Sequence, residues 1–282
     1  MFVNINGNQL HIEVLGGDDP AKPVLIAHHG APGLGSLAEP KAAFGPLADR
    51  FRVVVFDARG SGASGDTPPF THEQWVADVD ALRAWMGVER FVMAGGSYGG
   101  FISMEYAVRF RERLLALVLR DTSADSTHDE LAEANARSSD RVEIDDERYR
   151  RVMEGRVVDN DDLRDCWRHL LPLYDHELDL ARVAERVANT PYHYATHNYA
   201  FAVNRLTYDV KPQLSTVTCP TLVTVGRHDW ITPVSASETI AELVPGAQLV
   251  VFERSGHSPP LEEPERFQQV VRTFLDDALA VA

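Results

Sequence analysis

Residues 90–110, RFVMAGGSYGGFISMEYAVRF, join an apolar run to a helix-like segment through one serine and four glycines. Glycine costs backbone entropy, so a cluster of four requires a steric or chemical reason. A tight turn is one explanation. The other is that the turn exposes the Ser97 hydroxyl as a nucleophile, as the pattern G-x-S-x-G does between a strand and a helix. This joint decides how the rest of the chain is interpreted.

Further segments on both sides of the joint are typical of strands. Residues 2–15 form two short strands around a turn at Asn6-Gly7. The remaining strand segments are residues 24–29, 52–57, 90–95, 114–121, 220–226 and 247–253. Helical patterns lie between most of them, for example at residues 71–87, where Thr71 and Gln74 resemble a capping box. This alternation predicts a mostly parallel sheet covered by helices on both faces.

The alternation stops between residues 124 and 208, where 18 acidic and 11 basic residues accompany four helical patterns and no clear strand. Those patterns span residues 127–139, 145–155, 161–174 and 180–190. We predict a core formed by residues 1–123 and 209–282. Residues 124–208 are expected to form a helical cap over the carboxyl edge of the sheet.

A serine nucleophile needs a base, and the base needs an acid that orients it. Asp229 follows the seventh predicted strand in GRHDWITP, and His257 follows the eighth in SGHSPP. Carboxyl ends of parallel strands meet at one edge, so the sequence predicts a Ser97–Asp229–His257 triad there. Singly, the aspartate could cap a helix and the histidine could be a solvated loop residue. Asp121, at the end of the sixth strand, is the alternative acid.

Two backbone N–H groups are candidates for stabilising an oxyanion on the substrate. One belongs to Tyr98, the residue after the nucleophile. The other belongs to Ala31, in the loop HGAPG after the third strand. Gly30 of the same loop is assigned to the substrate pocket, together with Trp230.

The pair His28-His29 raises the question of a metal site. Adjacent side chains on a strand point to opposite faces, so the two imidazoles are poorly placed to share an ion. The glycine-rich segment DARGSGAS lacks the lysine and the spacing of a phosphate-binding loop. We therefore expect no metal and no cofactor.

Bulk composition narrows the classes of partner. The chain of 282 residues has a formal net charge of −15, which disfavours nucleic acid and anionic membranes. Its two cysteines, Cys166 and Cys219, fit no metal-ligand spacing and suggest a reducing compartment. The first residues lack the basic start and apolar core of a signal peptide. We expect a cytoplasmic protein that acts on a small molecule or a short peptide.

Taken together, these motifs resemble the α/β-hydrolase superfamily over essentially the whole chain. HGAPG, DARGSGAS, GGSYGG, GRHDWITP and SGHSPPLEEPERF occur in its order and at its strand ends. The sequence is most similar to the proline iminopeptidase branch, which carries HGGPG, a serine on a glycine-rich turn like GGSYGG and a helical cap. The resemblance implies the α/β-hydrolase fold, with the cap inserted between the sixth and seventh strands. It also implies the triad, release of an N-terminal residue such as proline, and an acidic pocket for the free amine.

Two positions depart from that branch. Ala31 replaces a glycine in the oxyanion loop, and Trp230 stands where some aminopeptidase relatives carry an amine-binding glutamate. The cap contains carboxylates that could replace that glutamate, namely Glu143, Asp145, Asp146, Glu147 and Glu154.

The leading hypothesis is a cofactor-independent serine hydrolase that cleaves a small carboxylic ester, lactone or amide through an acyl-enzyme on Ser97. Trp230 favours an apolar acyl pocket, whereas the acidic cap favours a proline iminopeptidase-like aminopeptidase. A carbon–carbon bond hydrolase would use the same triad. A non-catalytic receptor would keep the fold, although an intact triad argues against it. Epoxide hydrolases and haloalkane dehalogenases carry an aspartate at the position of the nucleophile. The serine at position 97 excludes both classes.

Overall fold

The computed structural model describes residues 1–280, and their eight strands form a single sheet. The strands are β1 (Phe2–Ile5), β2 (Asn8–Leu15), β3 (Val24–His28), β4 (Arg52–Phe56), β5 (Phe91–Gly96), β6 (Leu114–Arg120), β7 (Thr221–Gly226) and β8 (Gln248–Phe252). Their order is β1-β2-β4-β3-β5-β6-β7-β8. The pairs β1–β2 and β2–β4 are antiparallel, and all other neighbours are parallel. The predicted mostly parallel sheet is confirmed.

Helices flank both faces of the sheet and also form the segment between β6 and β7. They are α1 (Ala38–Phe44), α2 (His72–Trp85), α3 (Tyr98–Arg109), α4 (Asp129–Ser138), α5 (Asp146–Met153), α6 (Asn160–Leu170), α7 (Leu180–Asn189), α8 (Tyr194–Tyr199), α9 (Arg205–Thr207), α10 (Lys211–Leu214), α11 (Val234–Leu243), α12 (Pro259–Glu262) and α13 (Pro264–Ala280). Helix α2 begins after Thr71, whose side chain accepts a hydrogen bond from the Gln74 N–H. None of the helices within residues 1–280 has both the length and the apolar composition needed to cross a bilayer.

The inner strands are apolar throughout because both of their faces are buried. In β3, Val24 and Ile26 belong to the apolar cluster that contains residues of α2 and α3. Leu25 and Ala27 point the other way, into the cluster that contains residues of α1 and α13. This alternation follows from the two-residue period of a strand.

The segment between β6 and β7 is helical, and α4 to α7 coincide with the four predicted patterns. Sequence reasoning missed the helical run that follows, in which α8 and α9 are joined by a π-helical turn at Ala200–Asn204. An isolated antiparallel bridge pairs Asp125 with Asp209, so the insertion leaves and rejoins the core at one place. The division at residues 124 and 208 stays a prediction.

Strand order places the loops that matter at one edge of the sheet. Strand β3 has β4 on one side and β5 on the other, so the chain direction across the sheet reverses there. In open α/β sheets, ligands bind beside the carboxyl ends of strands at such a reversal. The loops after β3, β5, β6, β7 and β8 all begin at this edge.

Candidate active site

Ser97 lies in the turn between β5 and α3 with φ 52° and ψ −125°. A positive φ is uncommon for any residue other than glycine, so the surroundings must hold it in place. The Ser97 N–H donates to the Arg120 carbonyl at 2.9 Å, and the Ser97 carbonyl accepts from the Thr122 hydroxyl at 2.8 Å. The Gly100 N–H donates to the same carbonyl at 2.9 Å. These bonds fix the strained turn on the neighbouring strand β6.

The glycines around Ser97 are required by close packing, and none of the four has a left-handed φ. A Cβ at Gly99 would collide with the backbone carbonyls at the end of β3, including that of His29. A Cβ at Gly96 would collide with the Arg120 guanidinium. The left-handed conformation belongs to the serine, and the glycines let other groups approach it.

Asp229 and His257 are buried and joined by a hydrogen bond of 2.8 Å from Nδ1 of the imidazole to Oδ2 of the carboxylate. Asp229 Oδ1 accepts from the backbone N–H groups of Ile231 and Thr232, at 3.0 and 3.1 Å. The Thr232 hydroxyl donates to Oδ2 at 2.7 Å. With Nδ1 engaged in this way, Nε2 is the ring nitrogen available for proton transfer.

The pKa of His257 is raised above its ordinary value. Burial alone lowers this pKa, but the negative charge of Asp229 and its hydrogen bond outweigh the loss of hydration. The backbone of His257 is fixed on both sides. Its N–H donates to the Tyr174 carbonyl at 2.7 Å, and its carbonyl accepts from Arg120 Nη1 at 3.0 Å.

Asp121, the alternative acid, is fully buried beside this pair. Its Oδ1 accepts from the Gly226 N–H at 2.9 Å, and its Oδ2 accepts from Arg120 Nη1 at 3.0 Å. Burial and the nearby charge of Asp229 raise the pKa of Asp121, against the opposing effect of Arg120. Ligand atoms of Asp121, Asp229 and His257 lie within 4.8 Å of one another, a spacing that could hold a cation. Of the two carboxylates, Asp229 is the one that accepts a hydrogen bond from the imidazole.

The loop after β3 lies against Ser97, since a Cβ at Gly30 would be 3.2 Å from the Cβ of Ser97. Gly30 and Ala31 both line the cavity that contains Ser97. The Gly30 N–H donates to Glu39 Oε2 at 2.7 Å, which leaves the Ala31 N–H as the candidate oxyanion donor on this loop. The second candidate, the Tyr98 N–H, belongs to the first residue of α3, where a helix has no internal acceptor for its N–H groups.

His28 and His29 support this loop through backbone contacts. His28 Nδ1 donates to the His29 carbonyl, and His29 Nδ1 donates to the Gly30 carbonyl, each at 2.8 Å. His29 Nε2 accepts from the Ala58 N–H at 2.9 Å. Burial lowers both pKa values, that of His28 to about 3, so both rings are neutral at pH 7.

A cavity of about 330 Å³ opens beside Ser97 and His257, between the loops of the core and the helices of the cap. This volume is at the lower end of the range for small-molecule sites. Its wall is mostly apolar and includes Leu34, Trp167, Tyr174, Pro191, Pro260 and Leu261. Trp230, which the sequence assigned to the pocket, is not part of this wall. It lies behind Tyr174, with the two ring centroids 5.5 Å apart.

The five cap carboxylates named from the sequence are all exposed, and none lines the cavity. Asp145 caps helix α5, and Asp146 forms an ion pair with Arg137. The carboxylate that does line the cavity is Glu39, which pairs with Arg120.

Sequence reasoning missed Glu39, Arg120 and Arg186, the other charged residues of the wall. Arg120 carried a detectable signal, because it is a charged residue that ends an otherwise apolar buried strand. Glu39 and Arg186 carried none, since each lies in a helix that contains at least one other charged residue.

The chain matches the α/β hydrolase fold family over residues 23–264. The chain belongs to this family. It is a hydrolase of α/β fold, with the eight-stranded sheet and flanking helices expected from the sequence.

Individual relatives agree with this assignment. A proline iminopeptidase, PfmaB of Pestalotiopsis fici, is 32% identical over 279 residues, covering 98% of this chain and 99% of its own. A thermophilic esterase from Thermogutta terrifontis, solved with malate bound, is 27% identical with a TM-score of 0.74, covering 99% and 98%. An enol-lactonase from Burkholderia xenovorans, 22% identical with a TM-score of 0.78 and covering 98% and 100%, supports the fold alone. The resemblance to the proline iminopeptidase branch is confirmed at the level of sequence.

Proposed function

We propose that this protein is a cofactor-independent serine hydrolase that cleaves a small carboxylic ester or lactone through an acyl-enzyme on Ser97. His257 takes the Ser97 proton as the hydroxyl attacks the carbonyl, then protonates the leaving group and activates water. Asp229 stabilises the imidazolium, and the N–H groups of Ala31 and Tyr98 bind the oxyanion. The observation that carries this proposal is the buried Asp229–His257 pair at a cavity shared with the strained Ser97.

An ester or lactone is favoured over a free-amine substrate by the charges of the cavity. An N-terminal ammonium group needs an unbalanced carboxylate. Glu39, the carboxylate of the wall, accepts from the Gly30 N–H and is paired with the buried Arg120. The acidic surface of the cap faces away from this space.

A proline iminopeptidase-like aminopeptidase is the second candidate. The relative PfmaB, a proline iminopeptidase by name, is 32% identical over nearly the full length of both chains, which favours it. The two candidates differ in leaving group and in substrate charge, so a panel of proline p-nitroanilide, p-nitrophenyl acetate and a simple lactone separates them. Turnover of the anilide alone would replace the ester proposal with the peptidase.

Covalent labelling tests the part that both candidates share. A fluorophosphonate probe is expected to label the wild type, and Ser97→Ala is expected to abolish labelling and lower turnover at least about 1,000-fold. Ser258→Ala is the matched control, since Ser258 lines the same cavity and has no proposed chemical role. An unlabelled wild type, or labelling that survives Ser97→Ala, would refute the serine mechanism.

A further inference from the structure

One arginine of the cavity wall has its ion-pair partner outside the wall. Four residues with acidic or basic side chains line the cavity: Glu39, Arg120, Arg186 and His257. Glu39 and Arg120 form an ion pair, and Arg120 also donates to the carboxylate of Asp121. Arg186 forms no ion pair with another described residue of the wall.

Arg186 has an acceptor in the protein, but it shares that acceptor with a second arginine. Its Nη1 lies 3.1 Å from Oδ1 of the buried Asp175, whose Oδ2 lies 3.9 Å from Nη1 of Arg182. Arg141 adds a third guanidinium, which donates to the carbonyl of Asp175. Two further carboxylates lie in this region. Glu262 accepts from backbone N–H groups, including that of Gly256 at 2.7 Å, and Asp179 Oδ2 lies 3.9 Å from Nη2 of Arg182. Within the described residues, Asp175 is the carboxylate paired with Arg186, and Arg186 shares it with Arg182.

The unused donors of Arg186 have the geometry that a carboxylate requires. Within the described part of the chain, Nη1 is the atom of this guanidinium that donates to a protein acceptor. Nε–H and Nη2–H remain, and together they form one edge of the planar fork that binds a carboxylate in bidentate fashion. The side chain is 27% exposed and lies on the cavity wall, so a ligand in the cavity can reach it.

Arg186 is separated from the proposed chemistry by a single aromatic ring. Its guanidinium carbon lies 5.9 Å from the ring centroid of Tyr174. That ring packs edge to face against His257 at 5.3 Å. A short chain of carbon atoms can therefore connect a carbonyl at Ser97 with an anion at Arg186. Asn189 and Thr190 of the same helix end also line this part of the wall and offer further polar groups.

We propose that the substrate carries a carboxylate, a few atoms from the bond that is cleaved, and that Arg186 binds it. This inference rests on the proposed serine hydrolase function and specifies its substrate class. The same carboxylate could belong to the acid side of an ester or to the C-terminus of a dipeptide. Both sources are therefore included in the test.

The test compares substrates that differ only in that charge. Mono-p-nitrophenyl glutarate is paired with its methyl ester, and Pro-Gly is paired with Pro-Gly amide. For the wild type we expect kcat/KM to be about 10- to 100-fold higher for the charged member of the pair that is turned over. Arg186→Gln should remove that preference mainly through KM, while Arg186→Lys, which keeps the charge without the fork, should retain part of it.

Arg182→Gln is the matched control, because Arg182 shares Asp175 but does not line the cavity. We expect this variant to keep the preference for the charged substrate. Equal wild-type rates on both members of a pair, or an equal loss on both in Arg186→Gln, would overturn the inference and leave Arg186 with a structural role. Fluorophosphonate labelling of each variant shows that the site is folded. Absence of labelling and of all turnover in the wild type would instead refute the proposed function.

Discussion

Backbone strain is concentrated at the candidate site. Within residues 1–280, the non-glycine residues with positive φ are Asn6, Ser97 and Asp121. Asn6 lies in the turn between β1 and β2, where a left-handed conformation is common. Ser97 and Asp121 follow the adjacent strands β5 and β6 at the edge that holds the cavity. Strain persists only where the surroundings enforce it, and here hydrogen bonds to both residues do so.

At the level of single residues, the two candidate acids have different hydrogen-bond partners. We expect Asp229→Asn to lower kcat/KM by about 1,000- to 10,000-fold, because an amide cannot stabilise the imidazolium and favours the wrong tautomer. Asp121→Asn is the matched control. Its carboxylate is engaged by Gly226 and Arg120, and we expect a loss below about tenfold. Steady-state kinetics on one p-nitrophenyl ester compare the two variants, and the reverse ranking would move the acid to Asp121.

The pH profile supplies a second test of the role proposed for Asp229. His257 accepts a proton only when neutral, and its pKa is raised because Asp229 outweighs the effect of burial. The kcat/KM of the wild type should therefore fall as the pH is lowered through a midpoint above 6.5. Asp229→Asn removes the stabilising charge, so the midpoint of its residual activity should move to lower pH. An unchanged midpoint would mean that another group controls this limb.

At the level of elements, the turn at Ser97 requires β3, β5 and α3 to pack closely together. Gly99, in the first turn of α3, lies against the carbonyls at the end of β3, and backbone atoms there cannot move without shifting the oxyanion loop. The glycine pattern in the sequence therefore encodes the approach of a helix to a strand. This explains why the fold could be predicted from so short a stretch.

Substituting this glycine should lower the stability of the protein. We expect Gly99→Ala to lower the free energy of unfolding by about 2–4 kcal/mol, since its Cβ meets backbone and not a flexible side chain. Gly45→Ala is the control. Gly45 has φ −53° and its Cβ would make an ordinary contact of 3.4 Å with Leu15, so we expect no loss and a gain of up to about 1 kcal/mol. Urea denaturation measures both, and equal stabilities would contradict the packing argument.

The elements that sequence reasoning found and missed differ in a physical way. Strand β3 was predicted because it is buried on both faces and the apolar run at residues 24–27 is continuous. The run from α8 to α9 was missed because a π-helical turn at Ala200–Asn204 interrupts the 3.6-residue period. Within the site, Asp229 and His257 follow predicted strands, whereas Arg186 is one of 11 basic residues in the acidic insertion. Position relative to a strand end is readable from sequence, and the direction of a helix face toward a cavity is not.

At the level of the whole molecule, the cap and the core interdigitate. Leu34 and Trp230, from loops of the core, belong to the apolar cluster of the cap. In the opposite direction, Ala200 and Tyr208 belong to the cluster beneath the sheet face that α2 and α3 cover. Backbone bonds reinforce this exchange, because His193 of the cap donates to the Gly33 carbonyl at 2.8 Å. The loops that carry the candidate site are therefore fastened to the cap.

This arrangement predicts that cap and core unfold together in one transition. Apolar clusters shared across a boundary make the partly unfolded state expose surface from both sides, which favours all-or-none behaviour. The four tryptophans report on each part separately. Trp167→Phe with Trp230→Phe leaves the emission of Trp75 and Trp85 on α2. Trp75→Phe with Trp85→Phe leaves the emission of the two tryptophans in the apolar cluster of the cap. In each double variant, we expect the urea midpoint from fluorescence to coincide with the midpoint from far-ultraviolet circular dichroism. If the fluorescence midpoint of the cap lay at a lower urea concentration than the dichroism midpoint, the cap would unfold separately from the core. The cavity would then be open in part of the native population.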